Sequence, residues 1–228
     1  MIDLFFAPTP NGWKIAIFLE ESGLDYRVVP INIGKGEQFK SEFLKISPNN
    51  RMPAIVDNGN PKKKISVFES GAILFYLAEK TGLFLPIDSS RRYDIMQWLF
   101  WQMSGLGPMT GQLGHFRNYV NKSKYAEDRY DNEYMRLLTV LDKQLEGKKY
   151  MCGEYSIADM ATFPWVRPYR AMGHTLDRWP NVKRWNETMK QRPAVRRAID
   201  IGKDTILRKE EMTDDVKEVL FTQNGSLL

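Results

Sequence analysis

Strand signals in this chain stop at residue 83, and that single change in patterning most constrains how it can fold. Up to residue 82, short β-prone runs alternate with runs of helical spacing; beyond it only helical spacing remains. Strands need strand partners, so one α/β sheet unit must come first and an all-helical part second. Residues 2–6 are apolar and β-prone. Ile15, Phe18 and Leu19 give helical spacing over 14–22, closed by Gly23, a favoured residue after a helix. "YRVVPINI" at 26–33 reads as a strand, and Phe39 and Phe43 in "EQFKSEFLK" mark a short helix. "PAIVD" at 53–57 and "ISVFE" at 65–69 are strands joined by the turn "NGNPKKK", whose lysines 62–64 belong to a solvated loop. "SGAILFYLAEKTG" is a helix with Ser70 as N-cap and Gly82 as C′ residue. The order β-α-β-α-β-β-α predicts a partly parallel sheet whose final hairpin adds an antiparallel strand.

The second part opens with an apolar-rich helix over 91–103, which "GLGPMTGQLG" interrupts. Residues 126–146 place Tyr130, Tyr134, Leu137, Leu138, Leu141 and Leu145 on one face of a long helix. In "SIADMATFPWV", Ser156 and Asp159 have capping-box spacing, so Asp159 reads as a helix stabiliser rather than a catalyst, and Pro164 and Pro168 kink or end that helix. Two more helices are expected near 180–191 and 193–202. The expected organisation is an α/β domain over 1–82, a linker "LFLPIDSS" over 83–90, an all-helical domain over 91–202 and a loosely held tail over 203–228.

The 228 residues are 43% hydrophobic, enough to bury a sizeable core. No apolar run of transmembrane length occurs, and the N-terminus lacks the basic start of a secretory signal. One cysteine, Cys152, excludes an internal disulfide framework, and a cytoplasmic location is expected. Net charge is +1 over 1–82, +6 over 83–200 and −2 over 201–228. That mild excess suits small anionic ligands; without a Lys/Arg stripe carrying interleaved aromatics, neither nucleic acid nor membrane is an expected partner. His115, His174 and Cys152 have no metal-ligand spacing, so no metal is expected, and no phosphate-loop motif is present.

Three stretches carry chemistry. In "FFAPTPNGWK" (5–14) a strand runs into a tight turn bearing Thr9, Asn11, Gly12 and Lys14. Redox folds often place a cysteine in such a turn; here there is none. In "NNRMPAIVD", Pro53 starts a strand, where it is tolerated at an edge with a trans bond. With a cis bond instead, the Met52 backbone would face outward and suit an extended peptide laid alongside. In "FESGAI", the helix starting at Ser70 presents unpaired N–H groups and the positive end of its dipole, which suit a carboxylate. Glu69 beside it suits an ammonium, so the pair fits the α-carbon end of an amino acid; a capping serine beside a surface glutamate is the alternative.

Taken in this order ahead of a helical part, these stretches resemble the glutathione transferase superfamily over about residues 1–200. "ISPNNRMPAIVD", "FESGAILFYLAEKTGLF" and "QWLFWQMSGLGPM" resemble in particular its bacterial nu class of glutathione-dependent disulfide-bond reductases. The resemblance implies a thioredoxin-like first domain that binds glutathione and an all-α second domain, assembled as a homodimer. It places the γ-glutamyl carboxylate on Ser70 with Glu69 toward the ammonium. The Met52 backbone, next to a cis Pro53, would pair with the cysteinyl residue. Gln38 would reach the glycyl end, and Thr9 and Asn11 would face the sulfur. Arg136, with Arg129 as competitor, would contact a second glutathione or the partner subunit's ligand.

Many members activate the thiol with a tyrosine, serine or cysteine of the first strand-turn, but this chain has Phe6 where some classes carry tyrosine. The Thr9 hydroxyl and Asn11 N–H groups are then the available donors. Lowering a thiol pKa of about 8.5 by 2 units takes about 2.7 kcal/mol of preferential interaction with the thiolate. The implied function is reduction of small disulfides by bound glutathione, with two glutathiones or the oxidised dimer in one site and no protein cysteine. The alternatives are conjugation to electrophiles, with Trp13 and the aromatics of "WLFWQM" lining an apolar pocket, and non-catalytic glutathione binding of the kind found in a yeast regulatory relative.

Overall fold

A computed structural model describes residues 1–60, 62–119, 123–206 and 211–221. By their contacts they form two compact units, Met1–Leu77 with the chain from Arg196 onward, and Ala78–Val195.

The first unit contains β1 (Ile2–Phe6), α1 (Pro10–Ser22), β2 (Tyr26–Pro30), α2 (Ser41–Leu44), β3 (Ala54–Asp57), β4 (Ile65–Phe68) and most of α3 (Ser70–Thr81). The sheet order is β2-β1-β3-β4, with β1 and β2 parallel and the other pairs antiparallel. The crossover helix α1 imposes the parallel pair, and the hairpin imposes the antiparallel one. The expected β-α-β-α-β-β-α order and mixed sheet are therefore present. "EQFKSEFLK" divides into a 3₁₀ turn at Glu37–Phe39 and the single-turn α2. Lys62, Lys63 and Lys64 lie exposed in the hairpin loop.

Helix α1 begins four residues earlier than its apolar spacing implies. Thr9, in extended conformation, is its N-cap and Pro10 occupies the first turn, where a missing N–H costs nothing. The expected turn is thus the helix terminus itself, and every residue from Gly12 to Leu19 is buried. Gly23 closes the helix in the left-handed conformation, donating its N–H to the Leu19 carbonyl.

The C-terminal part departs from expectation. From Arg196 to Phe221 the described residues belong to the first unit and are not a loose tail. Arg197 Nε bonds the Glu20 carboxylate at 2.6 Å, and the Ile201 carbonyl accepts from Trp13 Nε1 at 3.4 Å. Helix α10 (Asp214–Phe221) packs beside the 3₁₀ turn Ile33–Lys35. Apolar Val216, Val219 and Leu220 give this charged stretch a face to bury. Residues 222–228 lie outside the described ones.

In the second unit, α4 (Ser89–Trp101) passes through a π-helical turn at Gln102–Leu106 into α5 (Gly107–Asn118). The expected interruption at "GLGPM" is therefore a local change of helical pitch. Pro108 follows this turn directly and, having no N–H, cannot continue the regular helical ladder there. Helix α6 (Lys124–Gln144) buries Tyr134, Leu137, Leu138 and Leu141, while α7 (Ile157–Val166) is capped by the Ser156–Asp159 box. Asp159 is wholly buried and also accepts from the Met151 N–H at 3.0 Å and Trp185 Nε1 at 2.8 Å. Helix α7 tolerates Pro164 internally and ends before Pro168; α8 (Pro180–Gln191) and α9 (Pro193–Asp200) follow.

Candidate functional site

The register of the sheet brings three stretches to one end of it. Phe5 lies opposite Ala54, and Ala54 opposite Phe68. The chain leaving β1, the chain entering β3 and the chain leaving β4 therefore share one edge. That edge carries the Thr9 turn, the Met52–Pro53 bond and the Glu69–Ser70 junction, which lie up to 61 residues apart in sequence.

At the first stretch, Thr9 Oγ1 accepts the Gly12 N–H at 3.3 Å, and its hydroxyl reaches the Ala7 carbonyl at 3.4 Å. Both contacts are long, so the hydroxyl is only lightly committed. Asn11 is half-buried in the same first turn. Gly12 is needed for a steric reason: a Cβ there would lie 2.3 Å from the Ala7 carbonyl oxygen and 2.9 Å from the Phe6 ring.

The Met52–Pro53 bond is cis and Pro53 is buried. The strand ladder starts only at Ala54, and among the described residues nothing hydrogen-bonds the Met52 N–H or C=O. The loop before it is held internally. Asn50 is buried with φ 47°, a conformation asparagine tolerates, and its Oδ1 accepts from Arg51 Nη1 at 2.5 Å.

At the third stretch, helical hydrogen bonding begins at Glu69, whose carbonyl accepts the Ile73 N–H at 2.9 Å. Ser70 is thus the first residue of α3 rather than the cap preceding it. Glu69 has φ 67°, and its exposed carboxylate accepts from Asn49 Nδ2 at 3.2 Å. Below it, Lys14 donates from Nζ to Ser70 Oγ at 3.3 Å while only 1% exposed. Burial pulls the Lys14 amine down to about 7, against the opposing field of Glu69. This contact ties the first turn of α1 to the first turn of α3.

Two expected ligand residues sit differently. Gln38 is 2% exposed, with Nε2 turned to the Ile33 carbonyl at 3.3 Å and Oε1 buried without a hydrogen bond. Arg136 lies in the other unit, where the Glu133 carboxylate one turn away engages it at 2.7 and 2.8 Å. Trp13 is buried in the first unit, with its Nε1 donating to the Ile201 carbonyl at 3.4 Å. Trp98 and Trp101 pack edge-to-face at 5.1 Å and line a cavity of about 590 Å³ within the helical unit, which contains none of the expected site residues. Cys152 also borders that cavity, and burial, then Asp159 and Asp94, push its thiol up to about 12. Such a thiol is not ionised near neutral pH and is no nucleophile. His174 is held by Asp131 at 2.7 Å, and no group able to hold a metal ion occurs among the described residues.

The sequence puts Lys14 in the polar turn and Asn49 and Asn50 just ahead of Met52, but nothing local marks the burial of Lys14 or the contacts the two asparagines make. The only signal is two asparagines preceding an Arg-Met-Pro run, a composition that favours left-handed backbone.

Residues 2–79 match the glutathione S-transferase N-terminal domain model, and residues 97–193 match the C-terminal domain model. The chain belongs to the glutathione S-transferase family. Within that family it is 52% identical to the disulfide-bond oxidoreductase YfcG of Escherichia coli over 203 residues, 87% of this chain and 94% of the relative. A glutathione transferase family member from Pseudomonas fluorescens, solved with two glutathione molecules bound, superposes with a TM-score of 0.82 at 46% identity, covering 87% of this chain and 92% of the other. A glutathione transferase from Pseudomonas putida, solved with one glutathione disulfide per subunit, gives 0.83 at 44% identity, with coverage of 88% and 91%.

Proposed function

We propose that this glutathione S-transferase reduces small disulfides, with bound glutathione and no protein cysteine supplying the reactive thiol. The observation that carries the reading is the chemistry of the shared sheet edge. It offers an amino-acid-shaped receptor at Glu69–Ser70, a Met52 backbone N–H and C=O that no described residue bonds, and hydroxyl and amide donors at Thr9 and Asn11. These fit the three parts of a γ-glutamyl-cysteinyl ligand. The likeness to YfcG and to the glutathione-disulfide-bound relative supports disulfide exchange over conjugation.

Glutathione supplies the attacking thiolate when bound: two glutathiones and one disulfide give two substrate thiols and glutathione disulfide. The protein binds, orients and stabilises. The first turn of α3 and Ser70 hold the α-carboxylate, and Glu69 holds the α-ammonium. The Met52 backbone fixes the cysteinyl residue as an added strand. The Thr9 hydroxyl and the Asn11 amide, at the positive end of α1, favour thiolate over thiol. Gln38 reaches the glycyl end only if its amide turns from Ile33, and Arg136 reaches a ligand only by exchanging its Glu133 partner.

The finer assignment is a cytoplasmic homodimer of the nu class, which light scattering on the purified protein tests for assembly. Activity is tested by turnover of 2-hydroxyethyl disulfide with glutathione, set against chlorodinitrobenzene conjugation. Disulfide turnover exceeding conjugation supports the proposal. Conjugation alone, or binding without either activity, overturns it.

A further inference from the structure

The cavity of about 590 Å³ in the helical unit is large enough for a small organic molecule. Asp94, Trp98 and Trp101 of α4 form one part of its lining, and Gln144, Lys148 and Cys152 another. Asp94, Trp98 and Trp101 are spaced four and three residues apart, so they make one stripe along the helix. A smaller recess of about 240 Å³ shares Asp94 and Cys152 with the cavity, so the two join into one groove at these residues.

Four charged side chains border the groove. Arg91 and Glu154 pair with each other at 2.5 Å. Asp94 and Lys148 are left over. Among the described residues neither belongs to an ion pair, and the Asp94 carboxylate accepts from Gln97 Nε2 at 3.2 Å. Both act on the same place: burial, then Asp159 and Asp94, raise the Cys152 thiol, while Lys148 opposes them. Beside these charges stands an apolar wall. Trp98 and Trp101 are half-buried and meet edge-to-face at 5.1 Å, and a further ring packs well against such a pair.

This combination selects among ligands. A simple anion meets Asp94 and a simple cation meets Lys148, so each is opposed by one wall. A molecule bearing both charges satisfies both walls. We propose that the groove is a small-molecule site for an aromatic zwitterion, an amino acid or dipeptide with free ends, its ammonium against Asp94, its carboxylate against Lys148 and its ring on the Trp98–Trp101 wall. The site binds and makes or breaks no bond. The inference stands apart from the glutathione reading, whose Glu69–Ser70 receptor belongs to the other unit.

The test is calorimetric titration of the full chain with L-phenylalanine and with glycyl-L-phenylalanine, which hold their two charges at different separations. At least one is expected to bind with a Kd of about 1 mM, the affinity that so few atoms supply. Blocking either end of that ligand, as the N-acetyl or the C-terminal amide derivative, is expected to weaken binding about two- to fivefold, the range for exposed charge pairs. Asp94→Asn is expected to weaken the free ligand by the same factor and to remove the effect of acetylation; Lys148→Gln is expected to do the same for amidation. Both side chains are exposed, so neither change threatens the fold. Trp98→Ala is expected to weaken every one of these ligands about two- to tenfold. Disulfide turnover by Asp94→Asn is expected to match the wild type, which separates this site from the sheet edge. Failure of both ligands to bind, or binding that the Asp94 and Lys148 variants leave unchanged, overturns the proposal. Light scattering adds one more overturning result: if Asp94→Asn or Trp98→Ala changes the assembly state while neither ligand binds, the groove is an interface between copies of the chain.

Discussion

Thr9 Oγ1 accepts the Gly12 amide at 3.3 Å, so the residue that caps α1 is also the one whose hydroxyl stands at the shared sheet edge. Structure and proposed chemistry separate under substitution. Thr9→Ala is expected to cost about 1 kcal/mol of stability through loss of the cap. It is also expected to lower disulfide turnover about tenfold through loss of a thiolate donor. Thr9→Ser keeps both. Thermal melts and 2-hydroxyethyl disulfide assays on the two variants check this, and an active alanine variant would remove the hydroxyl from the mechanism. Asn11→Ala is expected to slow the same reaction with little change in stability.

Gly12 tolerates no side chain. Its added Cβ would meet a backbone oxygen at 2.3 Å, and neither partner is a flexible side-chain tip. Gly12→Ala is expected to shift the start of α1 away from Ala7, lowering both melting temperature and turnover, whereas the same change at Gly105, with only Leu137 at 3.6 Å, is expected to be mild. Equal melting temperatures for the two variants would contradict the close approach.

Glu69 and Ser70 are expected to act on binding more than on rate. Removing a charged hydrogen-bond partner costs about 1.5–3 kcal/mol, so Glu69→Gln should raise the KM for glutathione about 10- to 150-fold with kcat less affected. A fall in kcat at unchanged KM would move Glu69 from ligand anchoring to the chemical step.

Asp159 gives a pH signature in stability. Burial raises its carboxyl to about 6, against the lowering effect of the hydrogen bonds from Met151, Trp185 and Ser156. Between the ordinary carboxylate range, near 4, and about 6 the folded state holds a proton that the unfolded state has released. The contribution of Asp159 is thus fully present below about 4 and lost as pH rises through about 6. The difference in unfolding free energy between wild type and Asp159→Asn should therefore change with pH in this window and level off above it. Urea titrations from pH 4 to 7 measure it. Asp159→Ala, which strips a buried network of its acceptor, is expected to lose about 2–4 kcal/mol.

Cys152→Ser should leave disulfide turnover unchanged, because the thiol lies in the helical unit and is pushed up to about 12. Loss of activity in that variant would contradict a mechanism that borrows its thiol from glutathione.

Much of this molecule was legible without coordinates because it rests on local signals. Alternation of β-prone and helical runs sets the order of elements, and the Ser156–Asp159 spacing encodes its own capping box. The left-handed glycines Gly23 and Gly82 mark helix ends for the same local reason. Glu69, Ser70, Met52 and Thr9 stood out because unusual residue types fall at strand–helix junctions. Lys14 stood out as part of the polar turn, but its burial did not, since a lysine in a first turn reads as solvated until the fold closes over it. The helix 214–221 was hidden in the same way: its apolar residues are too few to signal burial, and only the turn at Ile33–Lys35 gives them a surface.

The chain by itself determined the order of strands and helices up to about residue 202, that they divide into a mixed-sheet part and a helical part, and that the first turn has no thiol. These follow from periodicity, turn chemistry and composition, each read within a few residues. Only the tertiary structure decided that residues 9, 52 and 69 share one sheet edge, that Gln38 turns inward, and that an amine is buried beneath Ser70. Register and burial are properties of segments packed together, and no single segment carries them.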